Sequence, residues 1–218
     1  MSTLTLTNVT YNYKDAKNPA VSGANCIFEA GKLYAIVGPS GSGKSTLLSM
    51  LAGLDLPTDG EVVYDDCNID GIDLDLYRRE KISIIFQAFQ LIPLLTVMEN
   101  VCYPMELRGV KPADAKPRAA ELLESVGITK EQMKRFPSKL SGGEQQRVAI
   151  ARSLASGARV ILADEPTGNL DVSNSNNIMD ILQKLAHDEG YCVIVVTHDG
   201  DVAEKADVIY KMRDGMLS

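Results

Sequence analysis

The run Gly38-Pro39-Ser40-Gly41-Ser42-Gly43-Lys44-Ser45-Thr46 decides how this chain folds. It fits G-x-x-x-x-G-K-[ST], a loop whose backbone N–H groups wrap the phosphates of a nucleotide. Within it, Lys44 is the cation expected to reach the β- and γ-phosphates, and Ser45 the hydroxyl expected to ligate Mg²⁺. The flanks matter as much as the loop. Leu33-Tyr34-Ala35-Ile36-Val37 before it is a continuous apolar run of strand type, and Ser45 to Ala52 continues as a helix. Strand, glycine loop, helix is the setting in which this motif binds phosphate.

Leu140-Ser141-Gly142-Gly143-Glu144-Gln145 is a second device of related kind. Ser141 and Glu144 have the S-x-x-E spacing of a capping box, which by itself says only that a helix begins well. The glycine pair says more, because it leaves backbone N–H groups uncovered at the positive end of the helix, a ready anion site. One nucleotide needs one phosphate loop. Two such devices in one chain point to two copies that share their nucleotides, an ATP-driven switch rather than a metabolic kinase. Ser141 would cap its helix in the empty state and turn its hydroxyl to a phosphate when one arrives.

Outward from these loops, Leu4 to Tyr11 alternates with period two and Cys26-Ile27-Phe28 reads as a second strand. Val160 to Ala163 is a buried strand ending in Asp164-Glu165. Ile178 to Ala186 is helical, Cys192 to Val196 a strand, and Val208 to Tyr210 a last short one. Strands alternating with helices predict an α/β core with a mainly parallel sheet. A helical block from about Leu91 to Ala155 interrupts the alternation. In it Ala119, Leu122, Leu123 and Val126 fall at helical spacing, and Pro112 with Pro117 predicts a helix that starts near Pro117. The acidic strand end follows the block, so the block reads as an insert within one domain, residues 1–218. Residues 1–90 and 156–218 are then the core and about 91–155 the helical subdomain.

Parallel strands deliver their C-terminal residues to the rim where open α/β sheets bind ligands. On that rule Asp164 suits Mg²⁺, held through a water, and Glu165 is the base that orients and deprotonates the attacking water. His198, after Cys192–Thr197, and Gln87, after Ile82–Phe86, reach the same rim. For these two, an ordinary polar role is the plainer reading of position alone.

Composition narrows the classes. The 22 Lys+Arg against 29 Asp+Glu give a net charge of −7, which argues against a nucleic-acid binder. Cys26, Cys67, Cys102 and Cys192 are scattered, with no C-x-x-C pair, and read as free thiols in a reducing cytosol. No secretory signal is expected at the N-terminus. Ile82 to Met98 carries no charge, yet it contains Gln87, Gln90 and Pro93 and falls short of the ~20 apolar residues of a membrane span.

Together these elements resemble the nucleotide-binding subunit of ABC transporters over nearly the whole chain. Gly38–Thr46 is similar to its Walker A loop, Gln87 to its Q-loop glutamine and Leu140–Gln145 to its signature motif. Val160–Glu165 is similar to the Walker B strand, Gly168-Asn169-Leu170-Asp171 to the D-loop and His198 to the switch histidine. The resemblance implies an ABC ATPase fold: a P-loop core, an antiparallel β subdomain near the N-terminus and an inserted helical subdomain. It implies ATP and Mg²⁺, with Ser45, Gln87 and Asp164 about the ion and Gln87 and His198 assisting Glu165. Tyr13 is placed like the aromatic that stacks on adenine, with Tyr11 as the alternative.

Gln87–Val101 and Ile161–Asp171 are similar to the branch of lipoprotein-releasing, macrolide-efflux and cell-division ATPases and of peptide exporters. The implied partners are a second copy or a paralogous ATPase subunit, and an integral membrane permease. Nucleic acid is not among them. The permease would meet the segment after Gln87, where Phe89, Leu91, Ile92, Pro93 and Leu94 offer an apolar contact. The implied place is cytoplasmic, peripheral on the inner face of the cell membrane, with the permease on another chain. The implied work is export or extraction of a peptide, lipoprotein or drug. The rival class is a non-transport ABC ATPase, of cell-division or iron–sulfur assembly type.

Overall fold

The computed structural model describes residues 3–218. β1 (Thr3–Tyr11) pairs antiparallel with β2 (Val21–Glu29), and β3 (Lys32–Val37) then runs into the glycine loop and α1 (Lys44–Leu51). β4 (Asp59–Tyr64) returns to the free edge of β1 and carries β5 (Cys67–Asn68), closing an antiparallel sheet of order β2-β1-β4-β5. α2 (Leu74–Glu80) and β6 (Ile82–Ile85) follow, then three helices: α3 (Val97–Leu107), α4 (Pro112–Ser125) and α5 (Gly142–Ala155). The chain re-enters the main sheet through β7 (Val160–Asp164), α6 (Val172–His187), β8 (Cys192–Thr197), α7 (Gly200–Ala203), β9 (Val208–Arg213) and β10 (Met216–Leu217). Its order is β10-β9-β3-β8-β7-β6, parallel throughout except for β10.

The apolar runs are continuous because both faces of this sheet are covered. Val160 and Leu162 of β7 join one core with Leu47, Met50 and Leu51 of α1 and the antiparallel sheet. Ile161 and Ala163 join another, with α3 to α6. Leu47, Met50 and Leu51 are fully buried, and each such side chain contributes about 1.5–3 kcal/mol. The apolar layer on both sides of the phosphate loop thus fixes where α1 begins.

One expectation fails. α4 begins at Pro112, not near Pro117, and contains both prolines. Pro112 stands at the first helical position, where its missing N–H has no intrahelical acceptor in any case. Pro117 forfeits one helical hydrogen bond, and the fully buried Ala115, Ala119 and Leu123 on the same helix offset that loss. Other boundaries shift by composition. α6 starts at Val172 because Asp171 accepts a hydrogen bond from the Asn174 N–H at 2.9 Å, although its first turns are polar. The uncharged Ile82–Met98 stretch is β6, a loop and the start of α3. No helix of the described residues is long and apolar enough to cross a membrane. All four cysteines are free thiols.

Candidate functional site

The glycine loop is wedged into place. A Cβ on Gly38 would run into the Met212 carbonyl oxygen and lie 2.7 Å from Ser42 Oγ. Gly43 has φ 104°, and a Cβ there would overlap the Ala20 carbonyl. Only glycine gives this close approach at both positions. Lys44 is buried, and its Nζ donates to the carbonyls of Gly38 at 2.6 Å and Pro39 at 3.0 Å. The ammonium is therefore folded over the loop, above a helix start whose first N–H groups have no intrahelical partner.

The loop faces a cavity of about 700 Å³ at the C-terminal ends of β3, β7 and β8. Pro39, Ser40, Gly41, Gly43, Lys44, Ser45 and Thr46 line it from one side, and Gln87, Asp164, Glu165 and His198 from the other. That volume is within the range of small-molecule and cofactor sites. Gly38 and Ser42 lie behind the lining, with Ser42 Oγ buried and unpartnered.

Asp164 closes β7 opposite Val196 of β8. Burial pushes its carboxyl above the usual carboxylate range, the neighbouring Glu165 pushes it further, and Lys44 partly opposes both. Among the described residues, neither the Asp164 carboxylate nor the Ser45 hydroxyl takes part in a side-chain hydrogen bond, and both line the cavity. Two free oxygens beside a phosphate loop suit a small hard cation such as Mg²⁺.

Glu165 sits at φ 48°, a left-handed conformation that costs a non-glycine residue roughly 1–3 kcal/mol. Its N–H still donates to the Val196 carbonyl at 2.9 Å, so the bend turns the side chain without breaking the sheet. The bend carries Oε1 to 2.7 Å from His198 Nδ1, while Thr197 Oγ1 donates to Oε2 at 3.3 Å.

Gln87 Nε2 reaches Asn169 Oδ1 at 3.4 Å, and Asn169 Nδ2 donates back to the Gln87 carbonyl at 3.1 Å. Tyr13 lines the cavity, half exposed, with its hydroxyl 3.0 Å from Thr46 Oγ1. Tyr11 packs edge-on against Tyr13 and donates to Asp55 at 3.3 Å, outside the lining.

Ser141, Gly142, Gly143 and Glu144 are not brought to this cavity. The capping box is formed: Ser141 N–H donates to Glu144 Oε2 at 2.7 Å, and Glu144 N–H to Ser141 Oγ at 3.3 Å. Cβ atoms added to the two glycines would meet Leu170, Phe89 and Asn174, so α5 starts against the 168–174 segment.

Two residues that sequence reasoning passed over stitch the segment after Gln87. Arg152 of α5 donates to the Gln90 carbonyl at 2.5 Å and the Phe89 carbonyl at 3.0 Å, and both loop residues have positive φ. Asn100, fully buried, accepts from Ile92 N–H at 2.8 Å and donates to the Ile92, Leu95 and Thr96 carbonyls. The only local signal was a polar residue on an otherwise apolar helix face.

The profile of the family described as ABC transporter matches residues 21–168. The chain belongs to that family. The cassette is 40% identical to the lipoprotein-releasing system ATP-binding protein LolD of Blochmanniella floridana, over 95% of this chain and 89% of that protein. It is 41% identical to the macrolide export ATP-binding/permease protein MacB of Brucella melitensis, over 95% of this chain and 32% of that longer protein. The dimeric structure of the ABC transporter cassette MJ0796 of Methanocaldococcus jannaschii superposes with a TM-score of 0.89 at 41% identity, covering 99% of this chain and 96% of that one. A second dimeric structure of MJ0796, with the same similarity, is a post-hydrolysis state bound to ADP and Pi. The cassette is an ABC ATPase of the export-type branch, with the fold expected for one.

Proposed function

We propose that this cassette hydrolyses ATP only as a head-to-tail pair, each nucleotide lying between the Lys44 loop of one copy and the Ser141 helix of the other. One observation carries the reading. Within a single chain Lys44, Asp164, Glu165, Gln87 and His198 share one cavity, while the second anion device, Ser141–Glu144, stands outside it. Each chain thus holds an incomplete site, and a second copy supplies the rest.

In this reading the loop N–H groups and Lys44 hold the phosphates, and Tyr13 stacks on the base. Ser45, Asp164 and Gln87 would hold Mg²⁺, which would supply charge neutralisation of the β- and γ-phosphates. Glu165 accepts the proton of a water as its oxygen bonds to the γ-phosphorus and the bond to the ADP oxygen breaks. Its strained backbone and its contacts to His198 and Thr197 fix where it points. Binding closes the pair through Ser141, and hydrolysis cuts the γ-phosphate free of ADP, so that its departure lets the pair open.

The coupled partner is an integral membrane permease, and the cassette works at the cytoplasmic face of the membrane. The residue 91–155 insert acts as its lever. A groove of about 340 Å³, lined by Phe86, Ile92, Tyr103 and Arg152, lies beside the loop after Gln87. Leu94 on that loop is 86% exposed, an apolar side chain that asks for a cover. Export or extraction fits the branch better than a cell-division or iron–sulfur role.

Mixing two inactive variants tests the shared site. Lys44→Ala breaks one half and Ser141→Arg the other, so a mixed pair holds one doubly broken and one intact site. ATPase activity reappearing on mixing is the expected result, and two variants that stay inactive together contradict it.

A further inference from the structure

Away from the nucleotide cavity, a hollow of about 360 Å³ opens between the ends of α3 and α5, α4, and the turns before β7 and β8. Three guanidinium groups line it, those of Arg108, Arg118 and Arg159, and no carboxylate does. On a chain of net charge −7 this is a local reversal of sign.

Two of the three are held by neutral partners. Arg108 donates to the Ser156 carbonyl and lies over Gly157, where a Cβ would run into its Nη1. Arg159 donates to the Glu189 carbonyl at 3.3 Å and stands 5.0 Å from the centre of the Tyr191 ring, itself buried. Neither is ion-paired among the described residues. Arg118 alone has a carboxylate, Glu121 at 3.0 Å, with both side chains exposed. Like charges held around one hollow repel, more so over a buried floor, and an anion in the hollow relieves that repulsion.

The rim says which anion. Leu107 and Val110 flank Arg108 and are 58% and 38% exposed. Apolar side chains beside arginines form the pattern of a segment that lies at a bilayer interface. The hollow also continues the permease groove: α3 gives Tyr103 and Pro104 to the groove and Met105 to the hollow, and Arg108 follows it there directly after the helix ends.

We propose that this hollow binds the phosphate of an anionic phospholipid headgroup, a contact that holds the helical insert to the membrane surface. It rests on the reading that the cassette works beside a membrane. The forked N–H groups of arginine match phosphate oxygens, and each such cation near an anionic surface is worth roughly fivefold in binding.

The test is sedimentation of the full chain, without nucleotide, with vesicles of phosphatidylglycerol and phosphatidylcholine against vesicles of phosphatidylcholine alone. The wild type is expected to prefer the anionic vesicles, with binding that falls as salt rises. Arg108→Ala/Arg159→Ala weakens it about 25-fold, and Arg118→Ala, at an exposed position that cannot unsettle the fold, about fivefold. Lys130→Ala/Arg213→Ala, the same charge change at two other exposed sites, leaves it unchanged. No preference for phosphatidylglycerol, or equal losses in the two double variants, overturns the proposal. Displacement by an acidic peptide but not by inorganic phosphate at equal ionic strength also overturns it, since the site would then belong to a protein partner. Because no ATP is present, failure of the paired-ATPase reading leaves this result standing, and the reverse holds.

Discussion

Nδ1 of His198 and Oε1 of Glu165 lie 2.7 Å apart, across the ends of two adjacent parallel strands. A carboxylate only accepts, so the imidazole presents its Nδ1–H to it. The carboxylate is held by that bond and by Thr197 at 3.3 Å, on a backbone already bent at φ 48°. Glu165→Gln keeps the shape and removes the carboxylate proposed as the base. It is expected to lower kcat by about 10²–10⁴-fold while ATP still binds. His198→Ala leaves the carboxylate in place but unsteered, so kcat falls with little change in KM. Wild-type turnover in Glu165→Gln would remove Glu165 from its role.

Asp164 carries a cost that the protein retains. Its carboxyl is raised above its ordinary value by burial and by Glu165, so the folded state holds its proton more tightly than the unfolded chain. Folding stability therefore falls as pH climbs from the unfolded carboxylate pKa through the raised folded one. The penalty is complete once pH stands above the raised value. Asp164→Asn is expected to raise the melting temperature of the nucleotide-free protein near pH 7, to lose that advantage below both pKa values, and to abolish Mg²⁺-dependent turnover. A melting temperature lowered at pH 7 would contradict the account.

Tyr13 and Tyr11 are separable by placement. Tyr13 lines the cavity with its hydroxyl on Thr46, whereas Tyr11 supports its edge at 5.0 Å between ring centres. Base–aromatic stacking is worth about 1–3 kcal/mol, so Tyr13→Ala should weaken ATP binding roughly tenfold or more. Tyr11→Phe keeps the supporting ring and should bind nearly as the wild type does. Titration with a fluorescent ATP analogue reads both, and the opposite ranking would move the adenine to Tyr11.

Arg152 ties α5 to the loop after Gln87. Arg152→Ala removes two charge-assisted hydrogen bonds to Phe89 and Gln90, with an expected loss of stability of about 1–2 kcal/mol, since the loop is partly open to water. Arg152→Lys offers a point charge in place of a fork and should recover only part of it. Urea unfolding measures the difference. Equal stability of all three forms would show the clamp to be idle.

The parts of this protein that were legible in sequence are those where local pattern and tertiary demand agree. The β3 run, the glycine loop and α1 could be read together because an apolar strand, a turn that only glycine can make and a helix start stand in unbroken order. Asp164, Glu165 and His198 could be placed because parallel strands end at a common rim. β4, β5 and α2 are not legible: Asp59-Gly60 breaks the alternation of β4, whose place is decided by pairing with β1, β5 is two residues paired to β4, and α2 is short and polar. Pro117 misled because proline's local cost is visible in sequence and the buried face that offsets it is not. Arg152 and Asn100 act on carbonyls of a loop whose shape no periodicity encodes. The burial of Ser42 beneath the loop likewise depends on the turn itself.

The most direct measurement is the mass of Glu165→Gln in solution, by sedimentation equilibrium, with and without ATP and Mg²⁺. The shared-site account predicts a species of twice the 23.6 kDa chain when ATP is present, one chain without it, and one chain in both conditions once Ser141→Arg is added. A hydrolysis-blocked cassette that binds ATP and stays at the mass of one chain would contradict it.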